Sequence, residues 1–169
     1  YYSFIIPVFN EEDNVKKLHQ EIVRAGKKLK KPFEIIFTDD GSTDDTLKIL
    51  KTLSPIKILV LQTNSGQSAA LDAGIKNAQG KILITMDGDG QNDPADVPKM
   101  IKKLHQGFDV VCGWRYQRHD PASKKFISRG ARFFRSFLVA DKVHDAGCTL
   151  RVYKRACFVH IDLYGERHR

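Results

Sequence analysis

The stretch Ile82-Leu83-Ile84-Thr85-Met86-Asp87-Gly88-Asp89-Gly90-Gln91-Asn92-Asp93-Pro94 decides the fold. An apolar run stops abruptly at two carboxylates one residue apart. Two glycines let the backbone turn tightly there. The pattern reads as a buried strand that delivers Asp87 and Asp89 to a loop at its carboxyl end. In an open parallel sheet that edge is where ligands bind. Two carboxylates with the Gln91 amide beside them suit a hard divalent cation, which keeps part of its water and grips a substrate's phosphates. A polar surface turn uses the same letters. The other strand ends therefore decide between the two readings.

Working outward, four more segments have strand character. Ser3–Val8 carries Pro7 near its end, where a missing N–H is tolerated. Phe33–Thr38 ends in Asp39-Asp40-Gly41-Ser42, Ile56–Leu61 runs into Thr63-Asn64-Ser65-Gly66, and Phe108–Gly113 leads to Trp114-Arg115. Helical patterns lie between them. Val15, Leu18, Ile22, Ala25 and Leu29 recur at spacings of three and four, with Asn10 as the expected N-cap. Ser42-Thr43-Asp44-Asp45 reads as a capped start before Leu47, Ile49, Leu50 and Leu53. Ala69, Ala70, Ala73, Gly74 and Ala78 give a helix with small residues that can lie close to a sheet. Pro94 opens a helix with Val97, Met100, Ile101 and Leu104 inward, and Gly107 closes it. A short strand over Thr149–Tyr153 and a helix from Lys154 to Leu163 complete the expectation. Strand–helix alternation of this kind predicts an α/β fold with a mainly parallel central sheet flanked by helices. Asn10, Glu11, Asp39, Asp40, Asn64, Asp87, Asp89 and Arg115 all follow strands, so they are expected along one carboxyl edge, as a nucleotide and metal site.

At 169 residues the chain fits one domain, and 41% hydrophobic content supplies a core. Apolar runs are too short to span a bilayer, and no secretory signal is visible. The chain starts at Tyr1 and stops at Arg169 in a polar run, so it is expected to be part of a longer protein. Cys112, Cys148 and Cys157 are odd in number, with no Cys-x-x-Cys pair. Neither a zinc site nor a disulfide framework is supported, and reduced thiols fit a cytosolic setting. Six histidines show no ligand spacing. Cys112 is expected buried in its strand, and Trp114 either stacks near a ligand or closes the core. The net charge of +8 points to an anionic partner. Between Arg115 and Ser136 stand seven Lys or Arg against the single acid Asp120. Phe126, Phe133 and Phe137 share one helical stripe there, and Lys125, Arg129 and Arg132 another. Such a segment lies in a membrane interface or packs on a core with a solvated basic face; the charge concentration favours a phosphate- or membrane-facing role.

Taken together, the motifs resemble family-2 glycosyltransferases, and more narrowly the polyprenyl-phosphate sugar transferases, the group of dolichol-phosphate mannosyltransferases and undecaprenyl-phosphate sugar transferases. The matching residues are Ile6-Pro7-Val8-Phe9-Asn10-Glu11, Asp39-Asp40-Gly41-Ser42-Thr43-Asp44, Asn64-x-Gly66 with Ala70 and Gly74, and Asp87-x-Asp89-x-Gln91-x-Asp93-Pro94. Gly113-Trp114-Arg115, Ser128-Arg129, Asp145-Ala146-Gly147-Cys148 and Glu166-Arg167-His168-Arg169 follow in order. The resemblance implies a GT-A type, Rossmann-like fold over a single catalytic domain, residues 1–169, cut before membrane-associated segments. It implies donor contacts from Pro7, Phe9, Glu11, Thr38, Asp40, Asp87 and Gly88, with Asp40 accepting from the base. Asp87, Asp89 and Gln91 would hold Mg²⁺ or Mn²⁺ on the diphosphate. Arg115 and Arg129 would face phosphates, and His168 has the best functional claim among the histidines. Relatives commonly carry Ala and Leu where Gly88 and Gly90 stand, so a looser loop is expected here.

The expected reaction is inverting transfer of a sugar from a nucleotide-diphosphate sugar, UDP ahead of GDP, to a polyprenyl phosphate at the cytoplasmic membrane face. Asp89, Arg115, Arg129 and Asp145 are the expected catalytic residues. A phosphate monoester is mostly dianionic at neutral pH, its second pKa being about 6, so it needs positive groups more than a base. A hydroxyl acceptor would need a base, and Asp145 is the candidate. The alternatives are transfer to a hydroxyl of a glycan, or a non-enzymatic basic domain for membrane or nucleic acid. A nucleotidyltransferase would want a Gly-rich basic loop after the first strand, where Asn10-Glu11-Glu12 is acidic. The expected partners are therefore the sugar nucleotide, polyprenyl phosphate and a membrane surface, not nucleic acid; assembly as a homo-oligomer is left open.

Overall fold

A computed structural model describes residues 1–114 and 148–159. Its elements in order are β1 (Tyr2–Val8), α1 (Val15–Lys28), β2 (Phe33–Asp39), α2 (Thr46–Leu50), β3 (Lys57–Val60), α3 (Gln67–Asn77), β4 (Ile82–Thr85), α4 (Val97–Leu104), β5 (Val110–Cys112) and β6 (Arg151–Lys154). The strands form one sheet in the order β3-β2-β1-β4-β6-β5. β1 pairs in parallel with both β2 and β4, and β2 with β3. β6 runs antiparallel between β4 and β5. The expected parallel core is present, and the late strand inserts beside β4 where sequence order alone would have put β5.

Alternation along β1 explains the two layers. Phe4, Ile6 and Val8 face one side and pack with Val15, Leu18 and Ile22 of α1, Leu50 of α2, and Val97, Ile101 and Leu104 of α4. Ile5 faces the other side, with Ile36, Leu83, and Ile75 of α3. α3 lies very close to the sheet. A Cβ added at Gly74 would stand 2.4 Å from Ile5 Cγ2 and 3.2 Å from Thr38 Oγ1. Gly74→Ala is therefore expected to overpack this contact and cost about 1–3 kcal/mol, read as a lower melting temperature. Retention of wild-type stability would mean that α3 can lift off without cost.

Several helix boundaries differ from expectation for one shared reason. α1 begins at Val15, and Asn14 is its N-cap residue; Asn10 instead has φ 55°. Its Oδ1 accepts the Thr43 N–H at 2.8 Å, and its own N–H donates to Ser42 Oγ at 3.0 Å. Glu11 N–H donates to Thr46 Oγ1 at 2.8 Å, and Glu12 N–H to Asp44 Oδ2 at 3.2 Å. Glu12 Oε2 accepts the Asp45 N–H at 2.8 Å. Residues read as caps of their own helices thus knit the loop after β1 to the loop after β2. Pro94 does open a helix, as a 3₁₀ turn over Pro94–Asp96 capped by Asp93 Oδ1 on Ala95 N–H. After β6 the chain makes a 3₁₀ turn over Arg155–Phe158, and the rest of the expected final helix lies outside the described residues. No helix among the described residues is long and apolar enough to cross a membrane. Cys112 is half-buried, and Cys148 is the buried thiol.

Candidate functional site

β2 and β4 flank β1 on opposite sides, so the winding direction reverses at β1. A crevice forms outside the carboxyl ends of strands at such a reversal. There a cleft of about 330 Å³ is lined by Pro7, Phe9 and Glu11 after β1, Asp40 after β2, Asn64, Gly66 and Gln67 after β3, and Asp87, Gly88 and Asp89 after β4. Four strand ends that are far apart in sequence meet on one ligand-sized space.

Asp40 is only 3% exposed. Its two oxygens accept the Ser65 N–H at 2.8 Å and the Gly66 N–H at 2.9 Å. The carboxylate fixes the loop that carries Asn64 and Gly66 into the cleft, a role the sequence did not signal. Asp39 turns inward and accepts from Ser42 N–H at 3.3 Å. Glu11 is oriented by Asn14 Nδ2, which donates to its Oε2 at 2.7 Å. The network beside Glu12 also sets a proton affinity. Partial burial raises the pKa of Asp44, but hydrogen bonds from the Thr46 hydroxyl and from the N–H groups of Thr46, Glu12 and Asp44 itself outweigh it, holding the carboxyl below its usual value.

Asp87 and Asp89 both face this cleft. Gln67 Nε2 donates to Asp87 Oδ1, and Asp89 Oδ1 accepts the Gln91 N–H at 3.0 Å. Gln67, at the first position of α3, escaped the sequence reading because its partner Asp87 lies twenty residues away. Among the described residues no group of three or more His, Cys, Asp or Glu is placed to hold a metal ion, but the chemistry of these two carboxylates suits a divalent cation that draws its other ligands from water and substrate. Two hard carboxylates at a water-open cleft leave positions for water and phosphate oxygens, as Mg²⁺ and Mn²⁺ prefer. Gln91 is exposed and lines an adjoining hollow with Asn14, Lys17 and Glu21; Asp89 borders both spaces. The structure thus brings two of the three expected metal ligands into the cleft and places the third beside it.

Both glycines of the loop have a physical reason. A Cβ at Gly88 would stand 2.7 Å from Val8 Cγ1, and Gly90 has φ +71°. The loop presses against the end of β1 and then turns through the left-handed region, which a merely looser loop would not require.

The Thr38 side chain is fully buried against α3, its hydroxyl has no hydrogen-bond partner among the described residues, and it stands apart from the residues that line the cleft. Trp114 is 59% exposed, so it does not close the core. Arg115, Arg129, Asp145 and His168 lie outside the described residues.

Known proteins resemble this chain in sequence and in fold. The chain is 38% identical over a 174-residue alignment to a dodecaprenyl-phosphate galacturonate synthase of Rhizobium johnstonii, covering 99% of this chain and 52% of that protein. It is 37% identical over 158 residues to an undecaprenyl-phosphate 4-deoxy-4-formamido-L-arabinose transferase of Pseudomonas syringae pv. syringae, covering 90% and 47%. The chain spans about half the length of the curated relatives it matches. Among solved structures, glucosyl-3-phosphoglycerate synthase from Mycobacterium tuberculosis superposes with a TM-score of 0.73 at 21% identity, over 92% of this chain and 57% of that one. S. aureus TarS superposes with a TM-score of 0.62 at 21% identity, over 92% and 47%. These likenesses establish a GT-A fold with a mostly parallel central sheet. The sequence model of glycosyl transferase family 2 matches residues 3–161, and the chain belongs to that family.

Proposed function

We propose that this chain binds the donor in a glycosyltransferase that moves a sugar from a nucleoside-diphosphate sugar to a polyprenyl phosphate, with inversion, at the cytoplasmic face of a membrane. The observation that carries the reading is the meeting of Asp40, Gly66, Asp87 and Asp89 in one cleft at the reversal point of the sheet. Relatives named as polyprenyl-phosphate sugar transferases support the acceptor class. UDP is put ahead of GDP, as in neighbours solved with UDP.

In this reading Pro7, Phe9 and Glu11 border the nucleoside, and the loop pinned by Asp40 closes its other side. Asp87 and Asp89 hold Mg²⁺ or Mn²⁺, the ions present in related structures. When bound, such an ion neutralises charge on a diphosphate leaving group. Gln67 keeps the Asp87 carboxylate turned toward the cleft. Arg115 and Arg129 are kept as phosphate-facing groups that let two anions approach. Asp145 is the base only if the acceptor is a hydroxyl, because a phosphate dianion needs none.

A thermal-shift panel of UDP- and GDP-sugars with and without Mn²⁺ tests the donor side. A UDP-sugar that stabilises the chain only with metal is expected. Equal stabilisation in EDTA, or none with any nucleotide, would overturn it. Transfer of labelled sugar to polyprenyl phosphate, against simple sugar acceptors, separates the acceptor classes.

A further inference from the structure

Asp87 and Asp89 stand on a loop with two anchors, and both anchors end on one residue. Thr85, two residues before Asp87, donates its hydroxyl to the Thr149 carbonyl at 3.1 Å. Asn92, three residues after Asp89, donates Nδ2 to Thr149 Oγ1 at 2.9 Å. Asn92 is 7% exposed, and its Oδ1 faces the Cys148 thiol at 3.7 Å. Thr149 is itself fixed. The next residue's carbonyl, that of Leu150, accepts the Gly113 N–H at 2.8 Å, and β6 then pairs with β4 from Thr85↔Arg151 onward. A buried amide with both ends engaged has one orientation, because turning it leaves a polar atom unpaired. The free length of the carboxylate loop is thereby set by a segment about sixty residues further along the chain.

We propose that Thr149 and Asn92 are positioning residues: they clip the carboxylate loop at its base and so set the placement of Asp87 and Asp89 toward a divalent cation. Neither residue lines the cleft. The inference rests on the metal-dependent donor binding proposed above. Groups that orient ligands without touching the ion typically tune metal affinity by about 10–100-fold.

Thr149→Val removes only the oxygen that Asn92 uses and keeps the carbonyl that Thr85 uses. Thr149→Ser restores that oxygen. The readout is the Mn²⁺ concentration that half-stabilises the chain at fixed UDP, beside the melting temperature without metal. Thr149→Val and Asn92→Ala are each expected to raise the midpoint about tenfold, the double variant to add little more because the two share one contact, and Thr149→Ser to stay within about twofold of wild type. The inference is overturned if Thr149→Val leaves the midpoint unchanged, or if Thr149→Ser shifts it as far as Thr149→Val. Should Asn92→Ala fail to fold, the Val and Ser variants at Thr149 decide by themselves. Wild-type chain without metal-dependent UDP binding would overturn the donor reading and this inference with it; wild-type binding with an unmoved Thr149→Val midpoint overturns this inference alone.

Discussion

Replacing Asp87 and Asp89 together by alanine is expected to abolish metal-dependent nucleotide binding while the chain stays folded. Both carboxylates are only half-buried, and neither belongs to the apolar clusters that hold the sheet and helices together. The metal-free melting temperature should therefore move by a few degrees at most, the scale of a change near 1 kcal/mol in a domain of this size. Function should fall much further. A cation held at developing phosphate charge supplies several kcal/mol, and each 1.36 kcal/mol is tenfold in rate, so transfer should drop by about a thousandfold or more. Gln67→Ala, which removes the amide that donates to Asp87 Oδ1, should lose about tenfold in metal affinity. Isothermal titration of UDP with Mn²⁺ separates these outcomes. Metal-dependent binding that survives loss of both carboxylates would remove the ion from this loop.

Asp40→Ala should do the reverse and strike stability first. The carboxylate holds the N–H groups of Ser65 and Gly66, and hydrogen bonds to a charged group contribute about 1.5–3 kcal/mol each. Loss of both should cost about 3–5 kcal/mol after partial rescue by water, roughly 6–20 °C in melting temperature. Asp40→Asn keeps one acceptor and turns an NH₂ group toward the other N–H, so it should fall between wild type and alanine. Nucleotide affinity should decline in the same order, because the loop it pins lines the cleft. Thermal melts of the three proteins rank them; an Asn variant as stable as wild type would mean that the loop is held by other contacts. Asp40 as a base-pairing group and Asp40 as a loop anchor are compatible, since each carboxylate oxygen can accept more than one hydrogen bond.

Much of the candidate site was legible because it is punctuated by strand ends. Apolar runs stop at Asp39-Asp40 and at Asp87-x-Asp89, and parallel strands place their carboxyl ends on one edge. The helix starts were less legible. Asn10 and Ser42 have capping chemistry, but they bond each other's loops more than thirty residues away, and Asp44 divides its carboxylate between the local Thr46 N–H and the distant Glu12 N–H. Capping and cross-loop bonding use the same donors and acceptors, so local spacing cannot separate them. The place of Thr38 depends on similar context: alternation fixes which face a strand residue takes, but not which face borders the cleft.

By itself the sequence determined the α/β alternation and the parallel core, and singled out Asp87 and Asp89 as candidate ligands, because hydrophobic period and residue type are local properties. Tertiary structure alone decided what holds their loop. The antiparallel insertion of β6 beside β4 brings Thr149 to Asn92. A side chain at Gly88 would require the Val8 side chain at the end of β1 to shift, and left-handed φ favours glycine at position 90. These depend on which distant segments meet, and contact between segments far apart in the chain is set by packing of the whole sheet.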